Sequence, residues 1–379
     1  MTLFAVIFKI LKMILISIIS LVALVVLGAF IFIKVSPEFG GKPSKEQLKL
    51  YSSSPNFEQG KFINATPTNM DMSFSETVGV MYEFFKGAPG RTPTQPLPLH
   101  KIDSVDIAQK PDTLTRLTWF GHSTFLLEMK GKNILIDPMF GQVPAPHPLL
   151  GSKRFNEELP IAIEKLPHID AVIFSHDHYD HLDYGSVQKL KSKVDKFYVP
   201  LGLDAHLTAW GIAPEKITAV DWWETIKHED LTFISAPARH FSGRGVTDRF
   251  NTLWCSWVIK SGDESIYFSG DSGYGDHFKE IGEKYGPFDF AMMECGQYNE
   301  KWPDIHMMPE ETAQAAIDLN AKVMMPIHWG AFRLAMHSWT DPVERVTKKA
   351  AALGMPVATP KIGESIIING SNYPTDVWW

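Results

Sequence analysis

The sequence is short of several things, and each shortage closes off a class of protein. Cysteine appears only twice in 379 residues, at Cys255 and Cys295. Two thiols cannot build a disulfide framework in a chain of that length, so both read as small buried apolar side chains. Basic residues are not in excess: 36 Lys and Arg stand against 43 Asp and Glu, a formal net charge of -7. A nucleic-acid partner asks for a basic face, and none is expected here. No internal repeat and no heptad run is present, which sets aside solenoids and coiled coils.

Charge itself is missing from one stretch. From Met13 to Ile33 there is no Asp, Glu, Lys or Arg, and about twenty apolar residues are what a helix needs to cross a bilayer. Lys9 and Lys12 precede the run and Lys34 closes it. The run exceeds the apolar core of a cleavable signal peptide and ends in Phe30-Ile31-Phe32-Ile33 rather than in small residues. No cysteine follows it for lipid attachment. Residues 1–34 are therefore expected to form an uncleaved, single-pass membrane anchor. Lys9 and Lys12 favour keeping the short tail inside, with the rest of the chain on the non-cytoplasmic (periplasmic or extracellular) side.

The remainder of the chain falls into two parts. Residues 35–112 carry recurrent Pro and Gly, as in Pro37-Glu38-Phe39-Gly40-Gly41 and Gly87-Ala88-Pro89-Gly90-Arg91-Thr92-Pro93, which predicts an irregular arm. Its aromatics, Phe57, Phe62, Phe74, Tyr82, Phe84 and Phe85, predict that the arm packs on the domain after it. From 113 to 379, short β-rich runs such as Thr115–Phe120, Thr124–Met129, Ala171–Ser175 and Val323–Ile327 alternate with helical stretches such as Asp183–Lys191, His277–Tyr285, Pro309–Leu319 and Pro342–Leu353. That alternation predicts an α/β domain with helices covering sheets.

Histidine is the abundance that matters, with 14 in the chain. The densest cluster is Ser175-His176-Asp177-His178-Tyr179-Asp180-His181-Leu182, directly after the apolar run Ala171-Val172-Ile173-Phe174. A loop at the end of a strand is where α/β folds place ligands. Imidazoles two apart in such a loop can converge on one metal ion, and the adjacent Asp180-His181 pair can face a second. Nitrogen and carboxylate donors suit zinc or iron better than calcium. Three other strand-like runs end in candidate ligands: His240 after Leu231–Ser235, Asp271 after Ser265–Ser269, and His328 after Val323–Pro326. That is more than one tetrahedral site can use. Two metals are expected, roughly 3.5–4 Å apart, with Asp271 placed to bridge them. His100, His147, His168, His206, His228, His277 and His337 lie outside this pattern and read as structural or solvated. For His122 a turn-stabilising role and a functional one stay equally open. Trp222-Trp223 reads as core packing.

The order of these pieces resembles the metallo-β-lactamase superfamily, and within it the branch of N-acylphosphatidylethanolamine-hydrolysing phospholipases D. The resemblance is carried by Gly121-His122-Ser123-Thr124, His178-Tyr179-Asp180-His181-Leu182-Asp183-Tyr184 and Val199-Pro200-Leu201-Gly202-Leu203. It continues in Asp221-Trp222-Trp223-Glu224, Gly270-Asp271-Ser272-Gly273-Tyr274, Gly286-Pro287-Phe288-Asp289 and Ile327-His328-Trp329-Gly330, and spans Leu117 to Ser365. Asp137, in Ile136-Asp137-Pro138, matches the family's early aspartate, which supports the site from behind the ligands.

The resemblance implies an αββα sandwich and two zinc ions, iron or manganese being the other metals such donors accept. His176, His178 and His240 would hold one ion, Asp180, His181 and His328 the other, and Asp271 both. It further implies a phospholipid substrate at a membrane, N-acylphosphatidylethanolamine hydrolysed to N-acylethanolamine and phosphatidic acid. Asp271 would orient the attacking water, His306 would act at the phosphodiester and Tyr179 would contact it. His306 precedes the helix starting near Pro309, so an anion there would also meet a helix N-terminus. Two departures bear on head-group recognition and not on the metals: Ile305 stands where the family has a polar glutamine, and Cys295 to Asp304 diverges. The alternatives are a hydrolase of another ester, lactone or phosphodiester on the same fold, and a membrane-tethered metal-binding protein that is not an enzyme, against which the filled ligand positions argue. A homodimer is kept open as the assembly.

Overall fold

The computed structural model describes residues 3–262 and 264–379, with the Phe85 side chain outside that description. The chain divides into two compact units, Met1–Phe39 and Gly40–Trp379. The described part of the first is dominated by one helix, Leu3–Val35, none of whose residues is buried. Its 33 residues rise roughly 50 Å at 1.5 Å each, more than the hydrocarbon thickness of about 30 Å. The helix is long and apolar enough to cross a membrane.

The second unit is built on two large sheets. In one, the strands run in the order Ser365–Ile367, Arg116–Trp119, Phe125–Met129, Lys132–Ile136, Ile169–Ile173, Val194–Pro200 and Ile217–Val220. The last four pair in parallel and the rest antiparallel. In the other, the order is Met324–Ile327, Phe290–Glu294, Glu264–Phe268, Ser256–Ser261, Leu231–Ala236 and Thr225–His228, parallel over the first three.

Side chains alternate across a strand, and here both faces are covered. Phe125, Leu127 and Met129 enter the core shared with Phe233, Trp257 and Ile266 of the other sheet, while Leu126 between them enters a second core with Val187, Leu203 and Leu207. Ile134 and Ile136 split from Leu135 in the same way, as Ala171 and Ile173 do from Val172. Burial on both faces is why these strands read as continuous apolar runs rather than alternating ones. Helices Tyr184–Leu190 and Leu203–Ala209 cover the outer face of the first sheet. Pro309–Asp318 and Asp341–Leu353 send Ala313, Val343 and Val346 into the core of the second. The result is the expected αββα sandwich. Cys255 and Cys295 are free and buried, and Trp222 is buried with its indole nitrogen donating to the Trp254 carbonyl at 2.6 Å.

Residues 40–112 are less irregular than their Pro and Gly content predicts. Three helices form there, Lys45–Tyr51, Phe74–Lys86 and Ser104–Ala108, with a short hairpin of Phe57–Glu58 and Lys61–Phe62. The reason is local. Ser44 with Gln47 and Ser73 with Glu76 each close a capping box, in which side chain and backbone satisfy one another's free groups. Asp103 caps the third helix through Val105 N. Tyr51 and Phe62 are each 1% exposed, and the Tyr51 hydroxyl donates to Asp204 at 2.7 Å.

Candidate metal centre

The site lies where strands end, and each side chain is aimed from behind. Asp137 leaves Lys132–Ile136 in a left-handed conformation, φ 39°. One of its oxygens accepts from Ser175 N at 2.7 Å, and the other from the Ser175 hydroxyl at 2.5 Å and faces His181 Nδ1 at 2.7 Å. With Nδ1 engaged by a carboxylate, His181 turns Nε2 inward, the usual arrangement behind a metal-bound histidine. His240 is fixed by its Nδ1 against the Ile305 carbonyl at 2.9 Å, and His176 by its Nδ1 against the Ser175 hydroxyl at 2.9 Å. His328 sits at φ 67° in a turn clasped to that of His122: His122 N donates to Trp329 O, and His328 N to His122 O.

Two groups of potential donors result, and one carboxylate joins them. In the first, His176 Nε2 and His240 Nε2 lie 3.0 and 3.2 Å from His178 Nδ1, and 3.7 and 3.8 Å from Asp271 Oδ2. In the second, Asp180 Oδ2 lies 2.8 Å from His122 Nε2, 3.1 Å from His328 Nε2 and 3.5 Å from His181 Nε2. The other oxygen of Asp271, Oδ1, is 3.2 Å from His181 Nε2 and 3.1 Å from His328 Nδ1. Nitrogen and oxygen ligands at zinc distances in a tetrahedron stand roughly 3.3 Å apart, so both groups have the right size.

Their hydrogen bonding agrees. His181 Nε2 and Asp271 Oδ1 are buried without a hydrogen-bond partner, a costly state for buried polar atoms unless something else binds them. A cation satisfies both. Burial holds His176, His178 and His240 below the ordinary histidine range, and neighbouring imidazoles add to this for His176 and His240. Burial pulls His122 down to about 3. It opposes charge on His181 too, yet Asp271 and Asp180 push that ring well above its ordinary value, and His328 is pushed up to about 9 by the same balance. Asp180 and Asp271 stay well below the usual carboxylate range, burial being outweighed by the imidazoles around them. Ionised carboxylates among closely clustered imidazoles are a donor set for metal, and these clusters are able to bind it.

The cluster opens into a cavity of about 300 Å³. Its floor is polar, with His178, Asp180, Asp271, His306 and His328; its walls are apolar, with Met70, Met72, Phe241, Trp302, Ile305 and Leu334; Arg249 and Lys301 also line it.

All seven residues expected as ligands come together here. His306 joins them, with its ring 5.0 Å from that of His240 and 5.2 Å from that of His328. Tyr179 is placed otherwise. It is not among the residues lining the cavity, and its hydroxyl donates to the Arg244 carbonyl at 2.7 Å beneath the Arg244 guanidinium. The helix N-terminus near His306 is also spoken for: Pro309 has no N–H, and Glu311 accepts from Met308 N at 2.9 Å.

Three contributors are not legible as functional in the sequence. Glu294, fully buried, lies 3.3 Å from both His306 Nδ1 and His328 Nδ1 and accepts from Met307 N at 2.7 Å. It ends the apolar run Phe290–Met293, the same signal that marks the other ligands. Asn64 exchanges two hydrogen bonds with the His240 backbone, at 2.8 and 3.1 Å. His122, undecided from sequence, sits fully buried against Asp180 and His328. Replacing it with alanine is expected to lower turnover by about 10–100-fold, the usual cost of losing such a partner. Unchanged turnover in steady-state assays would return His122 to a turn-stabilising role.

Residues 132–329 match the beta-lactamase superfamily domain. An uncharacterized protein of Mycobacterium tuberculosis is 38% identical over 331 residues, 86% of this chain and 87% of that one. An N-acyl-phosphatidylethanolamine-hydrolyzing phospholipase D of Caenorhabditis elegans is 33% identical over 248 residues, 62% of this chain and 69% of its own. Among solved structures, a metallo hydrolase of the archaeon Ignicoccus hospitalis superposes with a TM-score of 0.51 at 24% identity, covering 67% of this chain and 98% of that chain, a likeness of fold.

Proposed function

Because this chain belongs to the beta-lactamase superfamily, as a metal-dependent hydrolase, we propose that it cleaves a phosphodiester in a membrane phospholipid, with N-acylphosphatidylethanolamine as substrate and N-acylethanolamine and phosphatidic acid as products. The observation that carries this is a paired donor cluster, joined through Asp271, at the floor of an apolar-walled cavity in a chain related to such a phospholipase. His176, His178 and His240 would hold one divalent cation, Asp180, His181 and His328 another, and Asp271 both, with zinc as the proposed metal. Such a pair supplies a water of lowered pKa and neutralises negative charge growing on phosphate.

The chain's own groups do the rest. Asp271, kept ionised, orients the attacking water. Glu294 holds His306 through Nδ1, leaving Nε2 to face the phosphodiester. Met70, Met72 and Trp302 exclude bulk water and accept acyl chain. Ile305 offers the head group no hydrogen bond, so cleavage of ordinary phosphatidylethanolamine is also expected.

The test is a lipid panel read by mass spectrometry with and without chelator. Phosphatidic acid should appear from N-acylphosphatidylethanolamine, chelator should stop it, and β-lactams should be poor substrates. A metal-loaded protein in detergent that cleaves a lactone or cyclic phosphodiester but no phospholipid would favour the other hydrolase reading. Anchoring by Leu3–Val35 with the catalytic unit outside the cytoplasm belongs to the same proposal and rests on Lys9 and Lys12. A C-terminal reporter active only in the cytoplasm reverses that orientation.

A further inference from the structure

We propose that the helix Phe74–Lys86 is a bilayer-docking element that seats the cavity mouth on a lipid surface, with Phe74, Val78, Met81 and Tyr82 entering the acyl region. The proposal deepens the phospholipid reading and rests on it for the choice of a lipid surface as the occupant. These four side chains fall at i, i+4, i+7 and i+8, one stripe of a helix. In a globular protein such a stripe faces the core. Here it faces outward: Phe74 is 86% exposed, Val78 47%, Met81 53% and Tyr82 65%. Away from the stripe, Phe84 lies under the guanidinium groups of Arg91 and Arg333, and Glu83 stands opposite Lys301 Nζ at 4.0 Å with its side chain still 55% exposed.

The chain just before the helix lines the cavity through Met70 and Met72, as does Lys301. Other exposed apolar tips lie on segments that adjoin cavity-lining residues. Leu149 and Leu150, 87% and 64% exposed, precede Ser152, whose hydroxyl donates to the Arg333 carbonyl beside cavity-lining Leu334. Val246, 81% exposed, lies on the loop leading to cavity-lining Arg249.

Exposed apolar tips on three separate segments suit a fluid surface, which conforms to each; a rigid partner would have to match all of them at once. The cations fit the same surface. Arg249 and Lys301 line the cavity, and Lys86 reaches over the Tyr82 ring at 5.9 Å, the arrangement of a side chain that keeps its stem in apolar surroundings and its charge among anionic head groups.

The test uses the full chain in vesicles of phosphatidylethanolamine and phosphatidylglycerol. Both native cysteines are buried, so single surface cysteines can be labelled with an environment-sensitive dye. Phe74→Cys, Val78→Cys and Met81→Cys sample the stripe, and Glu76→Cys and Glu83→Cys the far side. Docking predicts blue-shifted emission and an iodide quenching constant about threefold lower on the stripe than on the far side. Equal quenching at all five positions overturns the proposal. So does protection that disappears when the proteoliposomes are fused with protein-free vesicles, since the occupant would then be a second copy. The label reads docking whether or not any lipid is cleaved, so failure here and failure of the phospholipid reading are separate results.

Discussion

Changing Asp271 to asparagine should abolish turnover and empty both halves of the centre at once. The two oxygens of this carboxylate face different groups: Oδ1 is 3.2 Å from His181 Nε2, and Oδ2 is 3.7 Å from His176 Nε2. Asparagine keeps the shape but removes the charge, and it turns an N–H donor toward one of the two groups, where a cation needs a lone pair. Turnover is expected to fall by at least about 10³-fold, since both the site for metal and the group orienting water are lost. Elemental analysis should fall from two metal ions per chain to fewer than one. Asp180→Asn, which touches only the second group, should cost one ion and leave the other. An Asp271→Asn protein that kept two ions and its activity would sink the bridging role, and active wild-type protein holding a single ion would sink the binuclear reading.

The second large effect is on stability. Stripping the metal should stop turnover and lower the melting temperature together. A buried cluster of imidazoles and carboxylates, with His181 Nε2 and Asp271 Oδ1 unpartnered, is poorly satisfied by itself. A ligand present at about 1,000 times its dissociation constant stabilises by about 4 kcal/mol. For a unit of this size the loss corresponds to a fall of about 6 °C. Differential scanning calorimetry of the detergent-solubilised chain, before and after chelation and after stepwise return of zinc, measures it. Recovery of melting temperature and activity should be complete at two equivalents. Melting and activity both indifferent to chelator would overturn the metal reading.

How far the site is legible in the sequence depends on range. His176, His178, Asp180 and His181 are legible because their spacing is local. His240, Asp271 and His328 are legible because each succeeds an apolar run, so that topology brings strand ends together. Glu294 carries the same signal but is indistinguishable, by pattern alone, from the last residue of a strand. Asn64 gives no signal at all, because a side-chain amide holding a backbone 176 residues away obeys no periodicity. The helices of residues 40–112 are announced by Ser44 with Gln47 and Ser73 with Glu76, but the surrounding Pro and Gly point the other way. The strands Ile217–Val220, Thr225–His228 and Ser365–Ile367 escape a reading by pattern because each lies at the edge of a sheet, with a weaker apolar run than the central ones. Tyr179 shows what position alone leaves open: the motif sets it between two cavity-lining residues, while its hydroxyl is engaged by the Arg244 carbonyl.

The grip of Asn64 on His240 also says where this chain can change its chemistry without touching its chemistry's residues. Asn64, Met70 and Met72 lie outside residues 132–329, the part that matches the family, yet they hold a candidate ligand and wall the cavity. Selection acting on residues 40–112 can widen, narrow or tilt the space above the floor while every ligand stays in place. Two proteins with identical metal-binding residues can therefore differ in what they accept through residues that lie outside the matched domain.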